Sequence, residues 1–273
     1  MPHAEIRDAR SRRGRLAATG LVVLLITSIA APILSPHDPS AQDLEADLAP
    51  PSYAHPLGCD KLGRDQLSRL MYGGRVSLTV GVSSVVASVT IGLLVGAIAG
   101  YARGATDFWI MRLVDVLLAF PGMLLAIALA AVLGPGLPNV VLALTLVGWT
   151  GYARLVRGEV LAIREQEHVE AAVALGLPTP RIILQHVLPM VAAPLSVQAT
   201  FGVAAAIVGE ASLSFLGLGV QPPTPSWGAM INDGRSFLLV APHLTIYPGI
   251  AILLTVLGVH TLGDRLRDRF ARR

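Results

Sequence analysis

The sequence predicts an all-α polytopic membrane protein with six transmembrane helices, and three observations carry that expectation. Of 273 residues, 53% are hydrophobic and only 14% charged, with a mean hydropathy of +0.63; a soluble domain carries about 25% charged residues. The apolar residues fall into long uncharged runs of roughly the 20 residues a bilayer crossing needs. The basic residues are spread unequally over the segments between those runs.

The runs place spans at 16–35, 77–101, 113–133, 138–154, 190–217 and 241–262. Arginines, an apolar stretch and Ala30-Ala31 also resemble a secretory signal peptide. The uncharged stretch from Leu16 to Pro36 exceeds the usual h-region of about 7–15 residues, so it reads as an uncleaved anchor. Pro121-Gly122 should kink the third span, with neighbouring helices satisfying the freed carbonyl. The fourth starts straight after the tight turn Gly134–Pro138. Six spans put both termini on one side, and that side holds 16 basic residues against 5 on the other. The excess predicts that both termini are cytoplasmic.

Two spans carry small residues at helical spacing, Ser77, Gly81, Ser84, Ser88, Gly92, Gly96 and Gly100 in the second, and Gln198, Gly202, Ala205, Gly209 and Ser212 in the fifth. Small residues on one face let helices approach closely in lipid. The stripes serve internal packing, a second membrane subunit or a pathway wall, and the sequence does not divide them. Glu210 is the one carboxylate deep in a span, read either as a pathway polar group or proton site, or as a hydrogen-bonded Glu near the outer end of span five. Asp115 is expected to pair with Arg112, three residues earlier.

Residues 155–189 form the largest inside loop. Glu165 to Leu175 lacks helix breakers, Gly176 suits a left-handed stop, and Pro178 follows. Thr179 can then cap a second helix, Arg181 to Leu188, with Pro180 at its first position. Ala171, Ala172 and Leu175 place a small apolar knob at this elbow, flanked by Glu167 and Glu170, of the kind that seats in a groove on another protein. The acidic residues argue against a helix lying on the membrane, which favours Lys and Arg.

Several functions are excluded or unsupported. The pI of 9.4 does not indicate nucleic acid, because the arginines sit in tails and at helix ends with no interleaved aromatics. One cysteine, Cys59, precludes an internal disulfide, and no Cys/His cluster has metal spacing. No Ser/His, paired Asp or HExxH arrangement in the spans suggests an enzyme, and His243 and His260 fall near opposite ends of span six. The chain has no GxxxxGK[ST] phosphate loop.

Glu170-Ala171-Ala172, three residues, Gly176 and then Leu188-Pro189 resembles the coupling motif of membrane subunits in ATP-binding-cassette (ABC) importers. His55 to Asp65, continuing through Leu67-Ser68-Arg69 to Tyr72-Gly73, resembles the loop after the first span in the dipeptide/oligopeptide/nickel permease branch. Pro225–Gly228 with Met230-Ile231, Tyr247-Pro248-Gly249 and Leu262–Asp268 are similar to later segments of the same branch. The similarity spans nearly the whole chain beyond the N-tail and is nearest to the C-type permease. Cys59 stands where that pattern has Thr, His260 where it has Asn, and Val187 where it has Ile. Cys59 reads as a plain substitution, with redox or metal sensitivity as the alternative.

The resemblance implies a type I ABC importer permease fold. It divides the chain into the N-tail, first span and external loop (1–76), a five-helix core with the coupling helix near 165–176 (77–262) and a basic C-tail (263–273). It implies a non-catalytic subunit in a prokaryotic inner or plasma membrane. This subunit would form half of a peptide pathway, with nickel or another small solute as the alternative cargo. The expected partners are a related permease, two ABC ATPase subunits, an extracytoplasmic substrate-binding protein, the peptide and membrane lipid, without nucleic acid. No cofactor or metal is expected on this chain; ATP and Mg²⁺ belong to the ATPases. The coupling set is Glu167, Glu170, Ala171, Ala172, Leu175, Gly176 and Leu177. Asp60, Arg64, Asp65, Gln198 and Glu210 are the pathway or external-loop candidates, with local salt bridges as the other reading of the loop charges. The rival class is a proton-coupled secondary transporter using Glu210.

Overall fold

The computed structural model describes residues 19–270, which excludes the predicted N-tail arginines Arg7 to Arg15 and the last arginines, Arg272 and Arg273. Among the described residues there is no strand, only one isolated antiparallel bridge between Cys59 and Asp65. The helices are α1 Thr19–Ile29, α2 Gln66–Ala102, α3 Gly104–Leu118, α4 Gly122–Leu133, α5 Leu137–Arg164, α6 Glu167–Ala174, α7 Thr179–Phe215, α8 Trp227–Gly234 and α9 His243–Phe270. Four of these, α2, α5, α7 and α9, are long and apolar enough to cross a membrane. The fold is thus the all-helical membrane type the composition predicts.

Two of the six predicted spans are built differently from the expectation among the described residues. The third span is not a kinked rod but α3 and α4, bent by 87° at the break. Pro121 is the N-cap of α4 and offers no N–H to continue α3, so the chain turns there. The first span is represented by α1 alone; the helix is interrupted at Ala30 before a single turn, Ala31–Leu34. Pro32 cannot donate to the Ser28 carbonyl, which ends α1 short of the predicted 35.

Other boundaries move outward. Residues 66–75, expected in the external loop, begin α2, because Asp65 caps it by accepting from the Ser68 N–H at 2.7 Å. At 1.5 Å per residue α2 is about 55 Å long, well beyond the roughly 30 Å of hydrocarbon. Residues 155–164, expected in the inside loop, extend α5, and α9 runs on to Phe270 through most of the predicted C-tail.

The bundle is organised around α2. Every residue of its small stripe is buried, and α5 packs along it. A Cβ on Gly92 would lie 2.5 Å from Tyr152 Cβ and 2.9 Å from Ala153 N, so only glycine permits this approach of two backbones. Further along the helix, Gly81 faces Ile207 of α7. Leu21 of α1 packs with Ala204 of α7 and Val259 of α9, which docks the first helix on the bundle. The opposite faces of α1 and α2 expose Val23, Ile26, Val86 and Leu94, apolar surface suited to lipid or a neighbouring membrane chain.

Candidate functional site

The elbow is built by α6 and the start of α7. Gln166 is the N-cap of α6, and Glu167 and Glu170 fall in its first turn, where the helix dipole favours negative charge. The helix ends in a two-bond stop: Leu177 N–H donates to Ala172 O at 3.2 Å and Gly176 N–H to Val173 O at 2.9 Å. Gly176 has φ +75°, the left-handed conformation expected of it.

The predicted second helix is corrected at both ends. Pro178 is its N-cap, whereas Thr179 is already helical and its side chain caps nothing. The helix does not stop before Pro189. It passes through five π-helical residues, Ile183–Val187, directly into the long apolar helix. Pro189 has no N–H and its ring crowds the preceding turn, and the widened π turn absorbs both.

The coupling candidates divide by burial. Glu167, Glu170, Ala171, Leu175 and Gly176 are exposed, Leu175 at 80%. Ala172 is buried and Leu177 half-buried, both in an apolar cluster with Val169 and Ile182 that glues the elbow to the bundle. Ala172 therefore belongs to the support of the knob rather than to its surface. Nearby ion pairs stiffen this end: Arg103 with Glu165 at 2.6 Å and Arg157 with Asp107 at 2.5 and 2.6 Å. Asp115 pairs with Arg154 of α5 at 2.5 Å, not with Arg112, whose guanidinium lies 5.9 Å from the Phe108 ring centroid.

The second feature is a cleft of about 320 Å³ between α2, α4, α5 and α7. Gln198, Gly202, Ala205 and Gly209 of α7 line it, and Gln198 and Ala205 are exposed there. The two small-residue stripes thus do different things. That of α2 is spent on packing, although Ser84 and Ser88 reach the cleft edge, while that of α7 forms a cleft wall from Gln198 to Gly209, with Ser212 outside it. Tyr152 and Met123 also line the cleft and were not foreseen. Tyr152 sits in Gly151-Tyr152-Ala153-Arg154 at a predicted span end, where a tyrosine reads equally well as an interfacial anchor.

Glu210 is not on the cleft. It is fully buried, with Ser77 Oγ donating to Oε2 at 2.8 Å and Ser214 Oγ to Oε1 at 2.7 Å. The Trp227 N–H in turn donates to Ser77 Oγ at 3.3 Å. The carboxylate joins α2, α7 and α8 through these hydrogen bonds.

The external-loop candidates are likewise internal. Asp60, Arg64 and Asp65 are all buried. Asp60 Oδ2 receives Arg64 Nε at 2.7 Å and lies 3.3 Å from Arg69 Nε, while Asp233 flanks both guanidiniums at 3.6 and 3.7 Å. Asp65 accepts from the Ser68 N–H and Oγ–H and from His55 Nδ1. These groups clip the loop to α2 and α8. Asp233 was missed, since a lone Asp in a short polar stretch carries no sequence signal. Cys59 is fully buried, and burial together with the Asp65 carboxylate pushes its thiol up to about 11. Its thiol is therefore protonated at neutral pH.

Residues 92–273 match the family model for the binding-protein-dependent transport system inner membrane component. Residues 7–51 match that for the N-terminal TM domain of oligopeptide transport permease C. The glutathione transport system permease protein GsiD of Pectobacterium atrosepticum is 46% identical over 254 residues, covering 92% of this chain and 84% of that protein. The dipeptide transport system permease protein DppC of Alkalihalophilus pseudofirmus is 42% identical over 260 residues, 94% of this chain and 86% of that one. The di/tripeptide transport system permease protein DppC of Pseudomonas aeruginosa is 44% identical over 254 residues, 91% and 84% respectively.

Proposed function

The chain belongs to the family of binding-protein-dependent transport system inner membrane components, and on that premise we propose that it forms half of the pathway of an ATP-driven importer for short peptides. The supporting observation is the cleft: a wall of small side chains along α7, open at Gln198 and Ala205, has the form of half a passage that a second permease would complete. The relatives that transport glutathione, dipeptides and tripeptides support short peptides as cargo over nickel.

The chain itself performs no chemistry. It carries no phosphate-binding loop, so ATP and Mg²⁺ are bound by two ATPase subunits beneath it. The exposed face of Glu167, Glu170, Ala171 and Leu175 seats in a groove of one ATPase, with Gly176 setting the turn and Ala172 and Leu177 anchoring the elbow. An external binding protein delivers the peptide. The membrane is the inner membrane of a prokaryote, with both termini cytoplasmic, which the arginine bias supports. The burial of Glu210 in a satisfied network gives no support to proton coupling.

The test is uptake into proteoliposomes holding the complete complex, with ATP inside and binding protein outside. A dipeptide, glutathione and Ni²⁺ are offered in turn. ATP-dependent accumulation of a peptide is expected. Uptake that follows a proton gradient without ATP would refute the proposal.

A further inference from the structure

We propose that His37, His55 and Asp65 form a binding site for a first-row divalent metal ion, with zinc as its best-fitting member, on the loop side of the bundle. Each offers one ligand atom, and the three atoms lie within 4.8 Å of one another. His55 Nδ1 is 2.9 Å and His37 Nδ1 3.8 Å from the same Asp65 oxygen, Oδ1. Ligands about 2.0–2.2 Å from a tetrahedral zinc stand about 3.3 Å apart, so small rotations of the two rings bring the set to bonding geometry. Two imidazoles and one carboxylate suit a borderline-soft ion and not Ca²⁺ or Mg²⁺.

The surroundings prepare the ligands. The other carboxylate oxygen, Asp65 Oδ2, is held by the Ser68 N–H and Oγ–H at 2.7 Å each, which fixes the carboxylate plane and leaves Oδ1 facing the rings. Ser68 Oγ also accepts from the His37 backbone N–H at 3.2 Å, so the same hydroxyl positions two of the three ligands. The imidazole rings lie 4.7 Å apart. The His37 side chain is 40% exposed and the His55 side chain 21%, which gives the ion an entry route and leaves a coordination position for water. The ligands come from three separate segments, which is why no motif spacing marks them in the sequence. Bound metal would staple the chain after α1 and the loop before α2 to the N-cap of α2, and would displace the Nδ1 proton of His55.

The site is independent of the cargo, so its test does not depend on the peptide proposal. The full complex, purified without a polyhistidine tag, is titrated with Zn²⁺ against a competing chelator. His37→Ala, His55→Ala, Ser68→Ala and the control His186→Ala on the distant elbow are compared. His37→Ala is the decisive variant, because that ring is half-exposed and its loss leaves Asp65 with three hydrogen bonds. One zinc per complex is expected at this site, weakened at least about tenfold by His37→Ala, His55→Ala and Ser68→Ala, and unchanged by His186→Ala. X-ray absorption should show two nitrogen ligands from imidazole. Zinc affinity unchanged in His37→Ala, or no zinc bound more tightly than about millimolar by the unaltered complex, would overturn the proposal.

Discussion

Ser77 of α2 donates a hydrogen bond to Glu210 of α7 at 2.8 Å, tying together the two longest helices among the described residues. Ser214 closes the other side of the carboxylate, and the Trp227 N–H closes the serine. A buried polar group of this kind is costly only when a partner is removed. Glu210→Gln, which keeps an acceptor and adds donors, should leave ATP-dependent uptake near its original rate. Glu210→Leu should lower stability by about 1–3 kcal/mol for each polar group it strands. Thermal unfolding in detergent and uptake assays check the pair. Uptake lost in Glu210→Gln with assembly intact would return this group to the transport mechanism.

Asp60 is the nearer of two carboxylates that face the buried guanidiniums of Arg64 and Arg69, Asp233 being the other. Asp60→Ala should remove most of the folded protein from the membrane, since breaking a buried ion pair costs about 3–5 kcal/mol and Asp233 alone cannot balance two guanidiniums. Lys61→Ala, at a half-exposed pair with Asp233, should change stability by less than about 1 kcal/mol. Membrane yield and melting temperature distinguish this from a role in recognising substrate, which would raise the KM for peptide in well-folded Asp60→Ala.

Gly92 and Gly158 are both helical, but only one is crowded. Gly92→Ala should force α2 and α5 apart and cost about 1–3 kcal/mol, because the new methyl group meets backbone. Gly158→Ala has nothing within 4 Å and should stabilise by up to about 1 kcal/mol through helix propensity. Melting temperatures of the two variants, compared with the parent, give opposite signs.

Gly176 has open space around it, so a side chain there is resisted by the backbone alone. Gly176→Val should strain the turn by about 1–3 kcal/mol, weakening ATPase co-purification while the chain still inserts. Gly176→Asn, which tolerates φ above zero, should retain most of the binding. ATPase retained fully by Gly176→Val would show that the turn does not set the docking surface.

The sequence legibly encodes features that local chemistry decides. The apolar runs mark α2, α5, α7 and α9, and Gly176 marks the stop of α6, because only glycine takes that conformation without strain. Helix ends were less legible, since amphipathic extensions such as Gln66–Arg75 and Leu155–Arg164 continue helices past the end of their apolar runs. The loop charges could not be assigned from composition. Asp60 and Arg64 look available for a ligand until Arg69 and Asp233 are brought beside them by the fold. The stripes of α2 and α7 have the same spacing and differ only in whether another helix covers them, which is a tertiary fact.

If the cleft along α7 is half of a peptide passage, a bulky side chain on its wall should block uptake. The most direct measurement is the initial rate of ATP-driven peptide uptake by complexes carrying Ala205→Trp. Ala205 is exposed on the cleft wall, so the indole fills the passage without entering the core. The prediction is uptake reduced by at least about tenfold, the equivalent of 1.4 kcal/mol in the barrier, with ATPase subunits still bound. Uptake at the parent rate, in a complex of normal yield, would contradict it.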